Sequence, residues 1–231
     1  MADRQQALAR NLQAVRQRIA HAAESASRDP ASVTLVVVTK TWPASDIRLL
    51  AQLGVQHVGE NRDQEAAPKA AQLTDLALEW HFIGQLQTNK VRSVATYATV
   101  VESVDRTRLV RTLDQAALSQ NRRLRCLIQV QLDSTPGRGG ATPTKVPELA
   151  QQLADSQLLE VAGVMGVAPL GEDPLVAFGR LADVASELRR DHPEAVIISA
   201  GMSGDLEAAI ACGATHVRVG SAVLGHRPPV G

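Results

Sequence analysis

Among the 24 Lys and Arg residues of the chain, only Lys40, Lys69, Lys90 and Lys145 are lysines, which leaves twenty arginines. The imbalance is informative, because an amine condenses with an aldehyde to an imine and a guanidinium does not. Lys40 follows the apolar run Leu35, Val36, Val37 and Val38, so it emerges where a buried strand ends. Lys69, Lys90 and Lys145 fall within or at the starts of helical patterns, where a solvated ammonium is expected. Lys40 is therefore the candidate for imine chemistry. The plain alternative is a salt-bridged lysine, or one whose alkyl stem lies along apolar surface.

Two later stretches have the make-up of phosphate-binding loops. Residues 199–205, SAGMSGD, and 218–225, RVGSAVLG, each leave an apolar run and enter a helix-like segment. Glycines, hydroxyls and the unpaired N–H groups of a helix start hold an anion without a dedicated charge. Taken singly, either stretch reads as an ordinary helix cap. Arg218 lies between Val217 and Val219, so alternation turns it away from both. Pointing inward it would be a fixed cation at a ligand site; pointing outward it would be a surface residue among helices. His81, between Trp80 and Phe82, reads as a structural histidine, and nothing in the sequence brings Glu60 and Asp105 to a shared proton.

The elements that must position these groups follow from periodicity. Leu8, Leu12, Val15 and Ile19 recur at helical spacing and predict an N-terminal amphipathic helix. After it, short apolar runs at 33–38, 57–59, 80–83, 100–104, 124–132, 159–167, 196–199 and 215–219 predict eight strands. Helical patterns at 45–53, 106–118, 146–153, 175–189 and 205–211 separate several of them. Nearly continuous apolar strands alternating with helices specify a parallel sheet covered by helices. Closing eight units gives a (β/α)8 barrel, in one domain spanning 1–231, with an extra N-terminal helix. The rival, a doubly wound open sheet, lacks a GxGxxG after its first strand. In a barrel the strand C-termini form the ligand face, and phosphate commonly sits after the seventh and eighth strands. The Gly-rich stretch 133–142 follows the fifth strand and reads as a loop, or as a flap over that face.

Composition excludes several function classes. The formal net charge is zero, so no overall field attracts nucleic acid or an anionic membrane. Cys126 and Cys212 show neither disulfide nor metal-ligand spacing and suit a reducing, cytoplasmic compartment. No run approaches the length of a membrane span.

Several stretches carry a resemblance. VVVTK at 36–40, VGEN at 58–61, WHFIG at 80–84, LQTNK at 86–90, GMS at 201–203 and VRVGS at 217–221 together resemble the pyridoxal phosphate homeostasis protein family, over about 33–225 and in the family's order. The resemblance implies a barrel like the N-terminal domain of alanine racemase, binding pyridoxal 5′-phosphate (PLP) as a Schiff base on Lys40. By matched position it implies that Asn61 and Met165 flank the ring and that Arg218 faces the pyridine nitrogen. It further implies that Ser199, Met202, Ser203, Gly220 and Ser221 hold the phosphate. Arg62 stands where the family commonly has an aromatic, Ala200 where it commonly has Met, and 137–140 is a variant of its usual flap.

The function so implied is intracellular PLP homeostasis or carriage without catalytic turnover. PLP-dependent apoenzymes are expected as recipients, and the chain is expected to be a monomer or weak dimer. Two alternatives stay open: a PLP-dependent amino-acid racemase or related enzyme, and a cofactor-free barrel for a phosphorylated metabolite. Racemases of this fold take a second acid–base group, a tyrosine, from a further domain. Here only twelve residues follow Val219, and the sole tyrosine, Tyr97, falls between the third and fourth strands.

Overall fold

The computed structural model describes residues 2–133 and 139–225. A 24-residue helix, α1 (Ala2–Ser25), comes first and buries Leu8, Leu12, Val15 and Ile19 against the body. Strand and helix then alternate: β1 (Thr34–Val38), α2 (Ala44–Gln52), β2 (His57–Glu60), α3 (Asp63–Gln72), β3 (Glu79–Phe82), α4 (Val91–Tyr97), β4 (Val100–Val104) and α5 (Thr107–Gln120). The second half repeats the pattern with β5 (Leu124–Gln129), α6 (Val146–Ala154), β6 (Leu159–Met165), α7 (Pro174–Asp191), β7 (Ile197–Ser199), α8 (Leu206–Ala211), β8 (His216–Val219) and α9 (Ser221–Leu224). All strands pair in parallel with their sequence neighbours. β8 closes on β1 with Thr34 opposite His216 and Val37 opposite Val219, completing an eight-stranded barrel.

The expected barrel is thus present, and each expected strand corresponds to an observed one. β5 stops at Gln129, three residues before its expected end at 132, because the chain turns there. Val130 bridges Ala141, and Gln131 N–H donates to the Ala141 carbonyl at 2.8 Å, closing the base of the Gly-rich loop. Residues 134–138 of the expected flap lie outside the described residues. Helices α3 and α4 answer to the helical patterns expected around Lys69 and after Lys90; α3 carries Pro68 in its interior.

Alternation divides the strand side chains between two environments. On β5, Leu124, Cys126 and Ile128 join the main apolar layer beneath α4–α7, while Leu127 faces a small interior cluster with Val100, Ala162, Met165 and Ile197. Burial pushes the Cys126 thiol up to about 12, as suits an inert packed cysteine. A second outer layer joins α1 and α2 to Val37, Val58, Val217 and Val219. Among the described residues, no helix is long and apolar enough to cross a membrane.

Candidate functional site

The C-terminal ends of the strands surround a cavity of about 530 Å³. Val38, Ile83, Met165 and Val167 form its apolar surfaces; Trp42 and Asn61 line one side, and Met202, Ser203 and Gly204 another. Lys40, Arg218, Gly220 and Ser221 complete it. Eight of the nine residues singled out from the sequence therefore meet in one place. The ninth, Ser199, is fully buried at the end of β7 and does not line the cavity.

Lys40 lies two residues past the end of β1, half-buried. Asn61 follows β2, and its backbone passes so close to Gly84 that a Cβ there would stand 2.1 Å from the Asn61 carbonyl oxygen. This contact requires the glycine that ends the WHFIG stretch. Across the mouth, the loops after β7 and β8 converge until the Ser203 and Ser221 hydroxyl oxygens are 3.4 Å apart. Gly201 permits the first of these loops. Its φ is +87°, and a Cβ would stand 2.6 Å from that of Ala209. The Met202 N–H is already committed, donating to Asp205 Oδ1 at 2.6 Å.

Arg218 points inward and is almost fully buried, which decides the question its strand position leaves open. One guanidinium nitrogen donates to Ser199 Oγ at 2.7 Å and the other to the Gly166 carbonyl at 2.9 Å. Burial lowers its pKa, opposed by the charges of Glu102 and Asp205. Ser199 in turn donates to Glu102 Oε2 at 2.6 Å, so its hydroxyl belongs to a network below the cavity. Glu102 Oε1 lies 2.7 Å from His81 Nδ1, and His81 Nε2 lies 3.0 Å from His57 Nδ1. His216 packs edge-on to His57, completing a polar column along the barrel interior. Among the described residues no His, Cys, Asp and Glu group of three or more is arranged for a metal ion.

This column sets a pH dependence. Burial alone would raise the Glu102 pKa, but hydrogen bonding and charge from His81, the charge of Arg218 and the Ser199 hydroxyl together hold it at about 2. Burial and then His81 push His216 down to about 4, and the same two causes lower His57. For all three groups the unfolded chain binds protons more readily than the folded one. Their stability is thus fully present at neutral pH. It is lost as pH falls from 6.5 toward 4 for His216, and from 4.5 toward 2 for Glu102. Glu102 and His216 each account for roughly 3 kcal/mol at most. Glu60, raised by burial against Lys69 and Thr39, opposes them. Urea midpoints taken at about pH 7.5, 5.5 and 4 should fall steadily; a flat series would contradict this account.

The other lysines divide. Lys69 is not solvated as its helical position suggests. It is nearly buried on α3, with Nζ 2.7 Å from Glu60 Oε1 and 3.0 Å from the Thr39 carbonyl. Helix α3 turns it toward β1 and β2, which no local pattern reveals. Lys90 and Lys145 each precede a helix, as expected. Tyr97 ends α4, edge-on to Trp80 and 3.4 Å from Asp63, and does not line the cavity. Trp42, which lines the cavity beneath Arg4 of α1, and Glu102 were not singled out from the sequence. The signal for Glu102 is a carboxylate among the valines of the fully buried strand β4.

Residues 5–228 match the family model described as alanine racemase, N-terminal domain, which defines the class of barrel and mouth described above. The alanine racemase of Streptomyces coelicolor shares the fold at 17% identity and a TM-score of 0.76; 97% of this chain aligns, covering 59% of the racemase. Closer relatives are more specific. The pyridoxal phosphate homeostasis protein of Mycobacterium tuberculosis is 43% identical, over 97% of this chain and 95% of the relative. The structure of PipY from Synechococcus elongatus with PLP bound is 35% identical, with a TM-score of 0.82 over 94% of this chain and 100% of PipY. The chain belongs to the pyridoxal phosphate homeostasis protein family.

Proposed function

We propose that this protein binds PLP covalently on Lys40 and acts in cytoplasmic PLP homeostasis or carriage, without catalytic turnover of its own. The observation that carries the reading is the juxtaposition of one amine, one buried guanidinium and two facing hydroxyls around a cavity of about 530 Å³. That volume suits a small cofactor, and the donor set suits a phosphorylated aldehyde. Bound PLP supplies an aldehyde that an amine can capture and a ring able to draw electrons from an adjacent carbon.

Each residue then has a role. Lys40 provides the amine. Asn61 and Met165 flank the ring, and Ser203, Gly220 and Ser221, with the Met202 segment, hold the phosphate. Arg218 faces the pyridine nitrogen, where its permanent charge disfavours a ring proton and so weakens the ring as an electron sink. Ser199 serves the site indirectly, by holding Arg218 in place. PLP-dependent apoenzymes are the proposed recipients, and the chain is proposed to act as a monomer or weak dimer, within a single domain.

The hydroxyl assignment has a measurable consequence. A hydrogen bond to a charged group is worth roughly 1.5–3 kcal/mol, so Ser203→Ala or Ser221→Ala should weaken PLP retention by about 10- to 100-fold. Pyridoxal, lacking the phosphate, should bind both variants and the parent alike. Equal retention of PLP by the double variant would put the phosphate elsewhere.

Absence of turnover is supported by the make-up of the cavity. Among the described residues that line it, Lys40 and Arg218 are the only ionisable side chains, and a guanidinium does not give up its proton. Two-sided proton transfer at a substrate carbon needs a second proton-exchanging group besides Lys40. Single enantiomers of amino acids incubated with PLP-loaded protein in deuterated water should exchange their α-proton no faster than with free PLP. Rapid stereospecific exchange, lost in Lys40→Ala, would make the protein an enzyme.

A further inference from the structure

The backbone on either side of Lys40 is held in an uncommon way. The Trp42 N–H donates to the Thr39 carbonyl at 3.1 Å, so residues 39–42 form a β-turn with Lys40 at its second position. Thr41, at the third, has φ +68°, whereas Lys40 is not among the positive-φ residues. That is the pattern of a type II turn, whose third position normally belongs to glycine or asparagine. A β-branched side chain in this left-handed region is a clear outlier and costs a factor of roughly 5–30 in population. The surrounding structure must therefore impose it.

Helix α3 supplies the restraint. Glu65 Oε2 accepts from the Thr41 N–H at 2.8 Å. One helical turn later, Lys69 Nζ donates to the Thr39 carbonyl at 3.0 Å and is itself anchored on Glu60 Oε1 at 2.7 Å. Thr39 Oγ1 donates to the same carboxylate oxygen at 2.7 Å. Spacing of four along a helix puts Glu65 and Lys69 on one face. That face grips a peptide N–H after Lys40 and a peptide carbonyl before it. Arg62, whose guanidinium is 3.8 Å from Glu65 Oε1, leaves Oε2 to the turn.

We propose that Glu65 and Lys69 are positioning residues for Lys40: by clamping both flanks of a strained turn, α3 presents the lysine amine to the cavity in the geometry that captures an aldehyde. The inference rests on the reading that Lys40 binds PLP covalently. Condensation joins Nζ to the aldehyde carbon as C=N and releases the aldehyde oxygen as water, with no change of oxidation state. The clamp acts on where Nζ stands and leaves the phosphate loops untouched.

The test compares two ligands on the full chain. PLP reports phosphate grip and condensation together, through the imine absorbance and reductive trapping on Lys40. Pyridoxamine 5′-phosphate reports phosphate and ring binding alone, because its amine cannot condense. Glu65→Ala is the primary variant, since Glu65 is partly exposed and its loss leaves the buried Lys69–Glu60 pair intact. It should lower covalent PLP loading roughly 5- to 30-fold, as Thr41 escapes the left-handed region. Binding of pyridoxamine 5′-phosphate should stay within about twofold of the parent. Adding Thr41→Gly, which favours the turn without help, should restore loading in the Glu65→Ala background. The proposal is overturned by parent-like loading in Glu65→Ala, by equal loss of both ligands, or by failure of the glycine to rescue. A parent protein that traps no label on Lys40 would overturn both this inference and the reading beneath it.

Discussion

Lys40→Ala is expected to abolish the covalent absorbance of the PLP-loaded protein while leaving the barrel folded. The lysine is half-buried beyond the end of β1, and its loss removes no core contact and no ion pair among the described interactions. The other three lysines are poor substitutes. Lys69 is committed to Glu60 and the Thr39 carbonyl on the far side of the turn. Lys90 lines a separate cavity that shares only Asn61 with this one, and Lys145 precedes α6 on the outer layer. Non-covalent PLP should still bind through the phosphate loops, so affinity falls but does not vanish. Absorbance spectra before and after borohydride, alongside a thermal melt, separate loss of the bond from loss of the fold.

Glu102→Ala is expected to destabilise the protein strongly. Its carboxylate is fully buried and meets His81, Ser199 and, at 3.8 Å, Arg218. Truncation leaves a buried guanidinium without its counter-charge, a change that typically costs about 3–5 kcal/mol. For a chain of this length the melting temperature should drop by roughly 6–20 °C. Glu102→Gln preserves the shape and one acceptor but not the charge, and should fall between parent and Ala. Arg218 would also lose its fixed position, so the ring environment of bound PLP should change in spectrum even where the Gln variant stays folded. A stability loss under about 1 kcal/mol in the Ala variant would contradict the counter-ion role.

These two residues also mark what could be seen in the sequence and what could not. Lys40 is legible because a barrel strand buried on both faces is an unbroken apolar run, and a lysine just beyond one stands out. The loops around Ser203 and Ser221 are legible for a similar reason, as their glycines and hydroxyls follow strands whose order in a barrel is forced. The facing of Arg218 is not, since alternation relates it to Val217 and Val219 without saying which face is inside. Ser199 illustrates the same limit: its position at a strand end is correct, yet its hydroxyl turns to Glu102, 97 residues away in sequence. Lys69 sits on a helix with polar neighbours, and only the packing of α3 against the ends of β1 and β2 buries it. The interior column of His57, His81, Glu102 and His216 arises from four different strands. It exists only once the barrel has closed.

We propose that PLP is held on Lys40 at the mouth of the barrel. Purified protein loaded with PLP, reduced with borohydride, digested and mapped by mass spectrometry tests it most directly. The expected result is a phosphopyridoxyl label concentrated on the peptide containing Lys40, and absent from Lys40→Ala. A label found mainly on Lys69, Lys90 or Lys145, or no label at all, would contradict it.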